Sequence, residues 1–487
     1  MPKKPHIVLL TADQMRFDCL SAYGNLGVRT PHLDALAGES VVFDTAYCAT
    51  PLCIPTRTTI GTGRWPHSNR VIINGGNPAY PKEKVWGQLD ADIPTFYELL
   101  GASGYAVTHV GVQHIHSTPP LRERVPGAEL VDSLDHEAFM ASQGLPGLYQ
   151  TDRRMPVVDF NDGVMIAKPG WACADIAERY PHDPATFKDH WFASEMEKRI
   201  AAADPSNPNL FVFQCWSPHP PLIAPEPYFS MYDPAEIQMP ENVGRWYDGM
   251  PATILLGTGG QRGSCIPRED WRRIWAAYFG LVTLADACIG RVIQALKAGG
   301  FWDDAVVIFT MDHGEAIGSH RMFEKMTMYE ESARVPLFVK APGIPAGRRA
   351  QLASHVDIAP TICDFAGSDA LAGCEGVSLR GPLEHAAASW RDVVFSEFHG
   401  DQARAFPCRA AMDGRFKYIH HFCAGPELYD LAADPQETRS LAGHPEHAET
   451  ERRLRQKLMD WMRGTGDVLD IERHADFTPA QWAGIRK

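Results

Sequence analysis

Ile7-Val8-Leu9-Leu10-Thr11-Ala12, followed at once by Asp13-Gln14, decides the fold. Six residues with no polar alternation fit a strand covered on both faces, the pattern of a parallel sheet. Three later segments repeat the design. Residues 104–110 follow a helical stretch at 93–102 and end near His114 and His116. Residues 210–215 follow a helix-like stretch at 191–203 and lead into His219, and residues 305–310 end at Asp312-His313. Ahead of this last segment Trp271, Ile274, Tyr278, Leu281, Ala285 and Ile289 recur at helical spacing until Gly299-Gly300 stops the helix. That stripe is a core face. Helix followed by strand, repeated, indicates an α/β doubly wound sheet, in which ligands sit beyond the carboxyl ends of the strands. All four candidate strands end in metal-ligating or acid/base residues, where the fold would put a site.

The chain has 487 residues, enough for a large core and more than one domain. After a helix start at 356–361, a Gly- and Ala-rich stretch at 367–381 reads as a connection. Strand-like pieces follow at 393–397, 408–412 and 416–419, with turns at His399-Gly400 and Asp413-Gly414, and then a charged helix at 446–463. The expected organisation is a catalytic domain over 1–380 and a smaller antiparallel α+β unit over 381–487, the latter without a cluster of ligand residues.

No stretch approaches the roughly 20 apolar residues that span a bilayer. Residues 1–5 run directly into a strand and not into the apolar region of a signal peptide, so a cytoplasmic protein with no membrane partner is expected. The 11 cysteines are odd in number and scattered, with no C-x-x-C pair, and read as reduced thiols. A net charge of -14 argues against nucleic acid as a partner. An acidic protein that handles an anion must gather cations or metal in one place. Arg57, Arg64, His67 and Arg70 lie within 17 residues after Cys53, a spacing that fits a binding loop and a solvated basic loop alike.

Asp13, Gln14, Asp312 and His313 offer three oxygen donors and one imidazole. Such sets suit calcium, magnesium or manganese, and the histidine moves the balance toward manganese. With two negative charges, the set balances a dication before any anionic ester arrives. Binding that ester would still need Lys and Arg.

One motif joins these residues into a pattern. Cys53-Ile54-Pro55-Thr56-Arg57, followed by Thr62-Gly63-Arg64-Trp65-Pro66-His67, resembles the sulfatase signature. Thr11-Ala12-Asp13-Gln14 with Thr30-Pro31-His32 is similar to a sulfatase N-terminus, and Asp312-His313-Gly314-Glu315 with Lys325 is similar to the second metal segment. Glu427-Leu428-Tyr429-Asp430 resembles the C-terminal subdomain. The chain is thus identified as similar to the type I, formylglycine-dependent sulfatases of the alkaline phosphatase superfamily, near arylsulfatases and phosphonate monoester hydrolases.

The resemblance implies an alkaline-phosphatase-like mixed sheet flanked by helices, with a C-terminal antiparallel sheet. It implies one divalent cation, Ca2+ or Mn2+, held by Asp13, Gln14, Asp312, His313 and a formylglycine made from Cys53 by a formylglycine-generating enzyme. Arg57 would position that residue. Lys325 and His219 would contact the sulfuryl and leaving-group oxygens, and Asn74 matches a substrate-facing asparagine of phosphonate hydrolases. His219 is the candidate general acid, as an imidazolium. Two departures stand out. Gly111-Val112-Gln113-His114 replaces the usual Gly-Lys-x-His, leaving His114, with His116 as competitor, for the missing cation's role. Gln14 stands where many sulfatases have an acid, as in choline sulfatases and phosphonate monoester hydrolases. The implied activity is hydrolysis of a small anionic ester, an aryl or alkyl sulfate. The alternatives are a phosphonate monoester or phosphodiester, or a choline or sugar sulfate. Leaving-group choice is assigned to loops at 116–165 and 231–263. The tail at 468–487, with Phe477 and Trp482, fits either a partner copy in a homo-oligomer or its own chain.

Overall fold

In the computed structural model, which describes residues 4–74, 87–147, 156–161, 164–169, 177–387, 389–400, 406–467 and 469, the segment that opens the chain forms the middle of the sheet. Strand β1 (His6–Asp13) is buried along its whole length. It pairs in parallel with β5 (Asn209–Pro218) on one side and β6 (Ala305–Met311) on the other, so Leu9 lies between Val212 and Ile308. Outside β5 come β3 (Ala106–Gly111) and β4 (Glu129–Val131), both parallel. Outside β6 come β7 (Leu337–Lys340), β2 (Val41–Phe43) and β8 (Gly347–Arg349), with β7 antiparallel to both its neighbours. The result is one eight-stranded mixed sheet in the order β8-β2-β7-β6-β1-β5-β3-β4.

Helices cover the sheet. Those relevant below are α1 (Cys53–Thr62), α2 (Phe96–Ala102), α3 (Lys188–Ala202), α4 (Thr258–Ser264), α5 (Trp271–Ala298) and α6 (Ile358–Ala366). The apolar stripe of α5 packs on β5 and α3 as its spacing requires. Contrary to the sequence expectation, the Arg268–Ala298 segment is long and apolar enough to cross a membrane. Burial of 89% of its apolar window marks it as a core helix.

The C-terminal strands β9 (Val394–Phe398), β10 (Cys408–Met412), β11 (Phe416–His421) and β12 (Glu427–Asp430) form an antiparallel sheet. The Asp413-Gly414 turn joins β10 to β11, with Gly414 at φ 88°. Helix α7 (Ala448–Thr465) lays Leu454, Leu458 and Met462 on this sheet. Contrary to the expectation from the sequence, ligand-type residues do cluster here. His67, Glu397 and Asp467 bring ligand-type atoms within 4.8 Å of one another. The Arg409 guanidinium already donates to Asp467 at 2.6 Å beside them, so the group is a buried ion network. The described cysteines are all free thiols, as their scatter implied. Phe477 and Trp482 lie outside the described residues.

Candidate active site

The register of the central strands builds the site. Ala12 pairs with Met311, so the next residue of each strand, Asp13 and Asp312, emerges side by side at the carboxyl edge. Helix α1 begins at Cys53 and brings its side chain to the same point. Pro55 in its first turn gives up only an N–H that has no helical partner there. Four residues on, Arg57 lies on the same helical face as Cys53. Gly63 ends the helix at φ 67°, packed so closely on Cys374 and Val356 that a side chain would not fit. Gly314 is likewise bound by space: a Cβ would strike the carbonyl of Glu331. Asp13, Cys53, Asp312 and His313, all buried, place their ligand-type atoms within 4.8 Å of one another.

Charges at this point are held in a set pattern. Arg57 donates to Asp13 at 2.8 Å and to Asp312 at 3.0 Å, and its remaining N–H group reaches the Val112 carbonyl and Gln214 Oε1. It therefore braces the two carboxylates more directly than it braces Cys53. Burial, then the neighbouring Asp312, pushes the Asp13 carboxyl up to about 8. Burial pushes on Asp312 too, but His313, Arg57 and the backbone N–H of Gln14 hold it below the usual range. Asp13 Oδ1 is buried and has no hydrogen-bond partner among the described residues. The His313 imidazole, pushed down to about 4 by burial, is neutral. Its Nδ1–H donates to the Gly314 carbonyl at 3.0 Å, which leaves the Nε2 lone pair facing the cluster, 3.1 Å from Cys53 Sγ. An orphaned carboxylate oxygen, a second carboxylate and an imidazole lone pair are a donor set that fits a hard or borderline divalent cation. Burial raises the Cys53 thiol, so as an unmodified residue it is a protonated, weak nucleophile.

Gln14 sits in the left-handed region at φ 65°. Its N–H donates to Asp312 at 2.9 Å, and its carbonyl accepts from the Tyr278 hydroxyl at 2.9 Å. Its side-chain oxygen accepts from Lys325 Nζ at 2.5 Å. Lys325 Nζ also lies 3.4 Å from His219 Nε2, while His219 Nδ1–H donates to the Pro220 carbonyl at 2.6 Å. Burial and Lys325 push the imidazole well below its ordinary value. The resident imidazolium expected from the sequence is therefore replaced by a neutral ring whose Nε2 accepts a hydrogen bond from the Lys325 ammonium.

Two residues that carry no motif in the sequence, Lys188 and Asp189, hold His219 in place. Pairing of β1 with β5 shifts between Ala12 and Asp13, so Asp13 meets Pro218 across an irregularity. The Asp189 carboxylate on α3 clasps that irregularity by accepting from Trp216 N at 2.6 Å, Ser217 N at 2.9 Å and Ser217 Oγ at 2.5 Å. The Lys188 ammonium lies 4.8 Å over the Trp216 ring, and that ring packs 4.1 Å from His219. No local signal marks Asp189, because its partners are 27 and 28 residues away.

The remaining sequence candidates stand further out. Asn74 Oδ1 accepts from the Ile54 N–H at 3.0 Å and so braces the first turn of α1. His114 borders a small cavity behind Arg57 with His109, Gln113 and Gln214. The His116 ring is 6.1 Å from it, and no hydrogen bond among the described residues joins either ring to the cluster.

Comparison with known proteins agrees with this geometry. The "Sulfatase" family model matches residues 5–368, and "N-sulphoglucosamine sulphohydrolase, C-terminal" matches residues 318–464. An arylsulfatase of Clostridium perfringens is 28% identical over 484 residues, covering 95% of each chain. A choline-sulfatase of Rhizobium meliloti is 27% identical, covering 98% of this chain and 87% of that protein. The crystal structure of the phosphonate monoester hydrolase of Agrobacterium radiobacter superposes with a TM-score of 0.78 at 27% identity, covering 95% of this chain and 96% of that one. With the family model spanning most of its length and the signature cysteine beside paired carboxylates, this chain belongs to the sulfatase family.

Proposed function

We propose that the protein hydrolyses sulfate monoesters of small aryl or alkyl alcohols through Cys53 converted to formylglycine. The observation that carries this reading is the Cys53 side chain seated among Asp13, Asp312 and His313. Those residues, with Gln14, would hold one divalent cation, Ca2+ or Mn2+. That cation, when bound, supplies positive charge that acidifies a neighbouring hydroxyl and draws electrons from the sulfuryl oxygens.

The rest is done by the chain. One hydroxyl of the hydrated aldehyde at Cys53 gives its proton to the neutral His219 at Nε2 and attacks sulfur, forming an S–O bond as the bond to the leaving alcohol breaks. Lys325 faces the sulfuryl oxygens, and His219 passes the proton it has taken up at Nε2 to the departing oxygen. The second hydroxyl then gives its proton to the same imidazole, which releases it to solvent, and the carbonyl reforms. This breaks the C–O bond and releases sulfate, and water rehydrates the aldehyde. A thiol has one nucleophilic atom and cannot carry out the second half. Arg57 holds both carboxylates still throughout, and Asn74 fixes the turn that carries the nucleophile.

A phosphonate monoester or phosphodiester is the second reading, favoured by the neutral Gln14 and by the fold shared with a phosphonate monoester hydrolase. Comparing kcat/KM for 4-nitrophenyl sulfate and 4-nitrophenyl phenylphosphonate separates the two. A large preference for the phosphonate overturns the sulfate assignment. Peptide mass analysis tests the nucleophile, because conversion makes the Cys53 peptide about 18 Da lighter. An unconverted Cys53 in active protein from its native host would sink the mechanism.

A further inference from the structure

One carboxylate outside the proposed ligand set touches both arms that carry Gln14 and Lys325. Glu315 is 1% exposed, and its two oxygens serve different partners. Oε2 accepts from Gln14 Nε2. Oε1 accepts from the backbone N–H of Ile317 at 2.8 Å and from that of Glu324.

The second pair of bonds closes a demanding loop. Ile317, His320, Arg321, Glu324 and Met326 all have positive φ, a region that side-chain-bearing residues occupy only when their surroundings hold them there. Glu315 pins the loop from inside. Arg262 of α4, wholly buried, pins it from outside through the Glu324 carboxylate. Lys325 is the next residue, so the hold on Glu324 sets where its ammonium points.

The first bond settles the orientation of an amide. A lysine ammonium can only donate and a carboxylate can only accept. With Lys325 at one end of the Gln14 amide and Glu315 at the other, the carbonyl oxygen must face the cluster and the NH2 must face away. The backbone of Gln14 is fixed independently by Asp312 and Tyr278.

We infer that Glu315 is a positioning residue, which turns the Gln14 carbonyl oxygen toward the cation's ligands and holds the loop that delivers Lys325. The inference rests on the reading of Asp13, Gln14, Asp312 and His313 as those ligands. It also explains why position 14 carries an amide: a carboxylate there would face Glu315 across a buried contact as one like charge against another.

An exchange of the two side chains tests this. Glu315→Gln, Gln14→Glu and the double variant are titrated calorimetrically with Mn2+ and with Ca2+ after metal removal, and melted in chelator. Glu315→Gln should weaken cation binding about 10- to 100-fold, the usual effect of removing a residue that orients a ligand. Gln14→Glu should lower the thermal midpoint in chelator. The double variant should recover both, because the exchanged amide then donates to the exchanged carboxylate. The inference is overturned if Glu315→Gln binds cation within about twofold of wild type, or if the double variant, folded or not, is no better than the two single effects combined. Failure of wild type to bind a stoichiometric cation would instead defeat the functional reading. The chelator melts report the Gln14–Glu315 coupling with no cation present.

Discussion

Replacing Asp189 by alanine should unfasten His219 while leaving every proposed ligand in place. The wild-type carboxylate takes three hydrogen bonds from Trp216 and Ser217, at 2.6, 2.9 and 2.5 Å. Alanine leaves two backbone N–H groups without an acceptor in a segment that is almost fully buried. Each stranded donor costs about 1–3 kcal/mol, giving roughly 2–6 kcal/mol. Burial raises the Asp189 pKa, so removing that carboxyl returns part of this, and a net loss of about 2–4 kcal/mol is expected. Against a typical stability of about 5–15 kcal/mol, the variant should still fold. The segment it frees carries His219, and a displacement of about 1 Å at a reacting group costs on the order of 100-fold in turnover. Asp189→Asn keeps one acceptor oxygen and should lose about half as much stability. Urea unfolding gives the first quantity and kcat/KM on 4-nitrophenyl sulfate the second. Unfolding within about 0.5 kcal/mol of wild type would refute the clasp. A loss of stability with unchanged kcat/KM would refute its link to His219.

Three further outcomes are expected. Cys53→Ala should abolish turnover yet retain cation binding by calorimetry, since the other donors remain; residual turnover at the wild-type rate would remove Cys53 from the mechanism. Chelation should stop turnover and lower the thermal midpoint, and Ca2+ or Mn2+ added back should restore both; activity that survives dialysis against chelator with no bound metal by elemental analysis contradicts the cation assignment. Asp286, which is outside the proposed ligand set, gives a pH test. It accepts from His32 N at 3.3 Å and Leu33 N at 2.8 Å, and burial pushes its carboxyl up to about 7. A raised carboxyl binds its proton more tightly folded than unfolded, so its contribution to stability is full below about pH 4 and is lost as pH rises through 7. Asp286→Asn should therefore melt above wild type at pH 8, with the advantage shrinking through pH 7 and gone near pH 4; a pH-independent difference would show that Asp286 does not titrate in the folded protein.

The parts of the fold that could be read from the chain are those with the densest burial. β1, β5 and β6 carry apolar runs because both faces are covered, β3 is a weaker one broken by Thr108 and His109, and each lies within a few residues of its expected place. The short strands beyond β6 carry no such signal. Nothing in Leu337–Lys340 tells that it runs against β6, since direction is decided by the connection and by pairing partners. β12 was visible only as a motif, not as a strand. The site divides in the same way. Asp13 and Asp312-His313 were legible because a strand end is a local feature. The Glu315 contact to Gln14 joins residues 301 apart, and its geometry exists only once β1 and β6 are neighbours. The orientation of His219 was equally hidden, because burial and Lys325 decide the charge of that ring and neither is local in sequence.

The first residue of α1 has a bearing on the order of events in the life of the chain. Every residue from Cys53 to Thr62 is buried, and Cys53 itself is 3% exposed. Any modifying enzyme must bring its own catalytic groups to the Cys53 sulfur, and in the folded protein that atom is enclosed. The proposed conversion must therefore precede closure of the core, during synthesis or before the central strands assemble. On the proposed mechanism, a molecule that folds first would stay a thiol, and adding the modifying enzyme later would not rescue it without unfolding. Specific activity would then record how synthesis and modification raced one another in the producing cell.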